Sequence, residues 1–181
     1  MKLVAFLRAI NVGGRNVTMD ALRRAFEGLG LEDVETFIAS GNVIFTAPRG
    51  KVAPLEQRIE AHLHKTLGYE VSTFLRTDAE VAAVAAYSPF KVAQLKSAQA
   101  LNVAFLAAPM TPAAMKTLGG MRTPNDEFHV NGREMYWLCR TRQSESTFSN
   151  VRFEKALGVR ATFRGVNTIV KLAAKYSWSG A

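Results

Sequence analysis

Apolar and polar residues follow one another in blocks that predict strands and helices in a definite order. The apolar run at residues 3–7 predicts a short buried strand. Apolar residues at helical spacing then predict a helix that begins after a Thr18 cap and stops at Gly30. Two β-rich runs, 34–39 and 43–46, are joined by Ser40-Gly41-Asn42, which predicts a hairpin.

The rest of the chain extends this order and then repeats it. A helix over 55–67 ends at Gly68, and a strand over 71–75 and an alanine-rich helix over 78–87 follow. The second half shows the same succession, with Asn131-Gly132 predicting its hairpin turn. The predicted elements of that half are strands at 101–106, 127–130, 134–140 and 161–163, and helices at 111–118, 148–157 and 168–176.

Two short identities support an internal repeat. Val-Ala-Phe-Leu occurs at residues 4–7 and again at 103–106. Leu67-Gly68 followed by Thr73-Phe74 recurs as Leu157-Gly158 followed by Thr162-Phe163. We therefore predict an α+β fold of two tandem ferredoxin-like (βαββαβ) units, each with an extra helix, in which the helices pack on antiparallel sheets. The predicted halves are 1–88 and 99–181, with 89–98 connecting them.

Composition places the chain among ordinary globular proteins. The 181 residues are 48% hydrophobic and 21% charged, and a single cysteine excludes an internal disulfide. The chain shows neither a signal-peptide pattern nor an apolar stretch long enough for a membrane span, so we expect a cytoplasmic protein without a membrane partner. The three histidines lack metal-ligand spacing, and we expect no metal and no cofactor.

The formal net charge of +8 is unevenly distributed. Residues 1–60 hold 8 basic and 7 acidic side chains, whereas residues 121–181 hold 10 and 5. A basic face on the last third would favour a polyanion such as nucleic acid. The alternative interpretation is that the net charge serves only to keep the protein soluble.

The first loop is the strongest candidate for a binding site. It joins a strand to a helix, where backbone N–H groups can bind an anion, and it combines two glycines with two arginines. The alternative is a tight connection that needs a positive φ at a glycine. The candidate ligand-binding residues in and near this loop are Arg8, Asn11, Gly13, Gly14, Arg15 and Asn16, with Ser40 and Asn42 from the hairpin turn.

Two later segments carry weaker candidates. Arg142 belongs to a polar run of hydroxyl residues that leads into a helix, and such residues are also ordinary helix caps. Arg164 and Asn167 precede the last helix, where Asn167 is an equally good cap. Cys139 alternates with Trp137 and Met135, which favours a core thiol over a nucleophile.

Several of these segments together resemble the bacterial domain of unknown function 1697 family. The matching segments are Phe-Leu-Arg-Ala-Ile-Asn-Val-Gly-Gly-Arg-Asn at 6–16 with Met19, Ser-Gly-Asn-Val-Ile-Phe at 40–45, Ser-Pro-Phe at 88–90 and Leu-Gly-Val at 157–159, followed by Arg164 and Asn167-Thr168. The resemblance implies an α+β fold built from ferredoxin-like parts and transfers no catalytic residue.

The function that these patterns favour is binding of a phosphate-bearing ligand or a nucleic acid. An alternative is an enzyme acting on a small phosphorylated or carboxylated metabolite in a cleft between the halves, with Asn11, Arg15, Ser40 and Asn42 as polar groups of the site. A third is a subunit that packs on a protein partner, which predicts an exposed apolar patch. The residues leave the choice between binding protein and enzyme open.

Overall fold

The computed structural model describes residues 1–11, 13–38 and 41–176. These residues divide between Val81 and Ala82 into two units, unit 1 (residues 1–81) and unit 2 (residues 82–176). The division falls within a helix, Asp78–Ala86. The domain limits 1–88 and 99–181, with 89–98 between them, stay a prediction from the sequence.

Unit 1 is a four-stranded antiparallel sheet with two helices on one face. The strand order is β2-β3-β1-β4, which is the ferredoxin-like arrangement. Its elements are β1 (Lys2–Leu7), α1 (Met19–Glu27), β2 (Glu32–Thr36), β3 (Asn42–Thr46), α2 (Val52–Leu67) and β4 (Thr73–Thr77), and α3 (Asp78–Ala86) leads into unit 2.

Unit 2 repeats the same topology, with strand order β6-β7-β5-β8. Its elements are α4 (Val92–Ser97), β5 (Ala100–Leu106), α5 (Pro112–Gly119), β6 (Asp126–Asn131), β7 (Glu134–Cys139), α6 (Asn150–Leu157), β8 (Ala161–Gly165) and α7 (Val166–Lys175). The predicted α+β fold of two ferredoxin-like units is confirmed. None of the helices described is long and apolar enough to cross a membrane.

Each core lies between a sheet and its two helices. In unit 1, alternate residues of β1 point toward α1 and α2 and contact Phe26 and Ile59 in one buried cluster. In unit 2, Met135, Trp137 and Cys139 occupy the corresponding face of β7 and are buried. The predicted core position of the Cys139 thiol is confirmed.

Several helix ends follow the sequence signals. Thr18 Oγ1 accepts a hydrogen bond from the N–H of Ala21, as expected of an N-cap. Gly68 and Gly158 end α2 and α6 in the left-handed conformation, with φ of 78° and 63°. The predicted stop of α1 at Gly30 is wrong, because Gly28 already caps the helix.

Both hairpins differ in detail from their sequence predictions. β2 ends at Thr36, three residues earlier than expected, so the connection to β3 spans residues 37–41 instead of a tight turn at Ser40-Gly41-Asn42. Asn131 is paired with Glu134, so the second turn consists of Gly132 and Arg133 rather than Asn131-Gly132. The left-handed φ of Gly132, 62°, explains why glycine occupies the first turn position.

Strand register corrects the predicted repeat in its last strand. Val4 of β1 is paired with Arg76, and the corresponding Val103 of β5 is paired with Arg164. Thr73-Phe74 therefore corresponds to Ala161-Thr162. The sequence identities had matched it with Thr162-Phe163, one residue further along the chain. The register aligns two buried arginines that sequence comparison left unmatched.

Glutamates of the neighbouring helix bind the outer edge of the last strand in both units. Glu60 Oε1 accepts from the N–H of Thr73 at 2.9 Å, and Glu154 Oε1 accepts from the N–H of Ala161 at 2.8 Å. Because Thr73 and Ala161 are equivalent, these contacts also align α2 with α6. These glutamates occupy N–H groups of an edge strand that would otherwise be open to pairing with another chain.

Candidate ligand site in unit 1

Three loops meet at one end of the unit 1 sheet, where β1 and β2 end and β3 and β4 begin. They are the glycine loop (residues 8–18), the hairpin loop (residues 37–41) and the helix–strand loop (residues 68–72). Their counterparts in unit 2 are residues 107–111, 132–133 and 158–160. Every one of the three loops is longer in unit 1, and the glycine loop is more than twice as long.

The longer loops leave the hydrogen bonds at this sheet end unchanged. The N–H of Leu7 donates to Gly41 O at 2.8 Å, as the N–H of Leu106 donates to Arg133 O at 2.9 Å. The N–H of Arg8 donates to Ser72 O at 2.9 Å, and that of its counterpart Ala107 donates to an equivalent carbonyl at 3.2 Å. The extra residues of unit 1 are therefore additions to a common framework.

Side chains hold the glycine loop and the helix–strand loop together. Tyr69 Oη donates to the carbonyl oxygen of Ile10 at 2.8 Å, which joins the helix–strand loop to the glycine loop. Within the glycine loop, Asn11 Oδ1 accepts from the N–H of Val17 at 2.8 Å. The guanidinium carbon of Arg15 lies 4.2 Å from the centre of the Tyr69 ring, a cation–π contact. This contact places an exposed positive charge over the loops.

The glycines of these loops serve two different purposes. Gly13 and Gly14 both have left-handed φ, 68° and 80°, and no described atom lies within 4 Å of a Cβ built at either one. The backbone is therefore open to an approaching ligand. At Gly41, φ is 76° and a Cβ would lie 3.0 Å from Ile10 Cγ2 and 3.2 Å from Leu7 Cβ. Gly41 lets the hairpin loop pack against the glycine loop.

Most of the candidate residues of unit 1 lie in this loop cluster. Asn11, Gly13, Gly14, Arg15 and Asn16 are exposed, whereas Arg8 is half-buried. Ser40 lies outside the described residues.

Asn42, the remaining candidate of unit 1, has a structural contact. It is buried, and its Nδ2 donates to Phe37 O at 2.9 Å, across the hairpin loop. This bond accounts for an asparagine at the start of β3 without a ligand.

The candidates of unit 2 occupy different environments. Arg142 is exposed in the segment that follows β7. Arg164 is buried within β8, where its Nη1 donates to Thr162 Oγ1 and Phe163 O, and burial lowers its pKa to about 10. Asn167 is exposed in the first turn of α7, whose N-cap is Gly165 and not Asn167. The role of these three residues in binding stays a prediction.

The charge excess belongs entirely to unit 2. Residues 1–81 contain ten basic and ten acidic side chains, and the later residues contain thirteen and five. The loop cluster therefore lies on a unit of zero formal charge. Any attraction of an anion to it must come from local groups such as Arg15 and backbone N–H.

Sequence reasoning missed Tyr69, which anchors the glycine loop from 59 positions away. Its only local signal is its place directly after the glycine that ends α2. Among the described residues, no three His, Cys, Asp or Glu side chains are grouped so as to hold a metal ion.

Comparison with known proteins places the chain in a family. Residues 1–136 match the model of a family described as "Protein of unknown function (DUF1697)". The chain belongs to this family. The DUF1697 match covers all of unit 1, including the complete loop cluster, and the first half of unit 2.

One solved structure shares this DUF1697 chain's fold over nearly its whole length. It is the conserved bacterial protein SP0830 from Streptococcus pneumoniae, with a TM-score of 0.73 and 23% sequence identity, over 96% of this chain and 97% of that one. No curated protein matches the chain.

Proposed function

We propose that the loop cluster of unit 1 binds a small phosphate-bearing ligand. The observation that carries the proposal is the added length of all three loops on a framework that unit 2 completes with fewer residues. Loops longer than their connection requires are a common location of binding residues. The fold can form without the extra residues, so folding alone does not explain their presence.

The chemistry of the cluster favours an anion with an attached ring. Arg15 presents guanidinium donors that suit phosphate oxygens, and Gly13 and Gly14 are exposed residues with open space around the backbone, where N–H groups could bind an anion. Tyr69 supplies an aromatic face beneath Arg15. A nucleoside monophosphate combines these features, since its phosphate pairs with the guanidinium and its base stacks on the Arg15–Tyr69 pair.

The charge distribution favours a small ligand over a polymer at this site. Nucleic-acid affinity depends on many phosphate contacts with basic side chains, and unit 1 carries no net charge. The exposed members of the thirteen basic residues of unit 2 are better candidates for contact with a nucleic acid. A small phosphate ester needs only one or two well-placed donors.

A titration of the full chain with 5′-AMP, followed by amide NMR, tests the proposal. We expect saturable shifts in Gly13, Gly14 and Arg15, and about tenfold weaker binding of Arg15→Gln, since a charge-assisted hydrogen bond contributes about 1.5–3 kcal/mol. Arg23→Gln is the matched control, because Arg23 is an exposed arginine of α1 in the same unit. Adenosine is the uncharged control ligand.

Three results would overturn the proposal. They are the absence of shifts in the glycine loop, equal binding of adenosine and 5′-AMP, and equal loss of binding in both arginine variants. A single-stranded dT20 oligonucleotide that shifts only unit 2 resonances, while 5′-AMP shifts none, would instead assign phosphate binding to the basic unit.

A further inference from the structure

A second concave site lies at the opposite end of unit 1, between the end of α1 and the start of α2. It is an open groove of about 320 Å³, which falls at the lower end of the range for small-molecule sites. Apolar side chains, among them Leu29, Leu31, Ala47 and Leu55, form most of its wall. We call it the α1–α2 groove.

The corresponding place in unit 2 is nearly filled. The pocket beside the start of α6 has a volume of only about 110 Å³, and Phe148 contributes to its wall. Phe148 is buried and lies 4.7 Å, centre to centre, from both the Phe128 and Trp137 rings. Because unit 2 closes this position with a core aromatic, the fold does not require it to remain open in unit 1.

The described residues that line the α1–α2 groove include cations and no acidic side chain. Lys51 is exposed at its edge, and Arg58 is exposed nearby with one guanidinium nitrogen donating to Leu29 O at 2.5 Å. An arginine also occupies the equivalent position in unit 2, where Arg152 donates to Thr147 O. An apolar wall with positive charge at its edge is complementary to a molecule that has an apolar body and one anionic end.

We infer that the α1–α2 groove binds a small aliphatic carboxylate. A volume of 320 Å³ equals that of about ten water molecules, at roughly 30 Å³ each, which leaves room for a ligand of the size of octanoate. The alkyl chain lies along Leu29, Leu31 and Leu55, and the carboxylate pairs with Lys51 and the free donors of Arg58. The site is separate from the loop cluster and does not depend on its function.

The test is a titration of the full chain with octanoate, using octanol as the matched uncharged ligand and methyl NMR as the readout. We expect saturable shifts of the Leu29, Leu31 and Leu55 methyl groups, with a dissociation constant on the order of 1 mM for a ligand of this size. Lys51→Gln should weaken octanoate binding about threefold at low salt and leave octanol binding unchanged.

A variant that fills the groove provides the second arm. Gly50 lines the groove, lies outside the left-handed region and has no described atom within 4 Å of a built Cβ, so Gly50→Phe introduces a ring without backbone strain. We expect it to lose octanoate binding and keep its melting temperature. Gly119→Phe in unit 2 has the same freedom and is the control.

Each alternative outcome overturns a defined part of the proposal. Equal affinity for octanol and octanoate would show that the groove does not recognise the carboxylate. If octanoate still shifts the resonances of Gly50→Phe, or shifts resonances outside the groove, the α1–α2 groove is not the binding site. Binding of 5′-AMP is measured in the same variants, and its retention separates a failure here from a failure of the loop cluster.

Discussion

The connection after the first strand takes eleven residues in unit 1 and five in unit 2, although equivalent hydrogen bonds fix the two sheets at that point. The added residues include a glycine pair, Arg15 and the Ile10 carbonyl that Tyr69 binds. Because unit 2 completes the same fold without them, the fold does not require the extra residues, and they are available to the proposed binding site. Two copies of one topology thus separate what the fold needs from what a site adds.

At the opposite end of the sheets, unit 2 has the additional group and unit 1 lacks it. Unit 2 closes the place beside its second helix with Phe148, whereas unit 1 leaves an open groove there. Charge follows the same division, because unit 1 is formally neutral and unit 2 carries the whole excess. Unit 1 thus holds the longer loops and the α1–α2 groove, and unit 2 carries the excess of basic residues.

The largest expected effect comes from opening the filled groove of unit 2. Phe148→Ala should lower the free energy of unfolding by about 3–5 kcal/mol, because it removes a buried ring and leaves a cavity. Phe148→Leu, which retains most of the volume, should cost less than half as much. Urea unfolding measures both variants, and equal losses would show that ring packing is not what closes the groove.

The two hairpins provide the next comparison. Gly41→Ala should destabilise the protein by about 2–4 kcal/mol, since it combines left-handed strain with a close approach to Ile10 and Leu7. Gly132→Ala in the unit 2 turn should cost only about 1 kcal/mol, because its nearest neighbour is a flexible glutamate oxygen at 3.9 Å. Similar unfolding midpoints for the two variants would contradict the packing of the unit 1 loops.

A helix side chain that binds the edge strand of unit 1 can be introduced at the equivalent position of unit 2. In unit 1, Glu56 Oε1 accepts from the N–H of Leu75, whereas the equivalent position in unit 2 is Asn150, whose buried Oδ1 has no hydrogen-bond partner in the described structure. We expect Asn150→Glu to stabilise unit 2 by about 0.5–1 kcal/mol, through the strand N–H of Phe163 and the favourable start of α6. Asn150→Gln, without the charge, is the control. A lower melting temperature for Asn150→Glu would refute the equivalence.

Much of this architecture is predictable from local sequence signals. The element order apart from α4, the Thr18 cap, the glycines that end α2 and α6, and the core position of Cys139 all follow from periodicity and capping. Such features depend on residues that are close in sequence.

Features that depend on long-range packing escaped prediction. The correspondence of Arg76 with Arg164 needs the strand register, and the Tyr69–Ile10 bond joins distant segments. The added length of the unit 1 loops becomes evident only when equivalent strand ends are known. The α1–α2 groove depends on the absence of a ring that unit 2 supplies at Phe148, and such a void has no local signature.

Replacing residues 8–18 by the unit 2 connection, Ala-Ala-Pro-Met-Thr, tests most directly whether the glycine loop serves binding rather than folding. The graft keeps a buried side chain, since Met110 in unit 2 is buried as Ile10 is in unit 1. We predict that the variant folds, with a melting temperature within about 5 °C of the parent, and no longer binds 5′-AMP. A variant that fails to fold, or that binds 5′-AMP as well as the parent, would contradict the account.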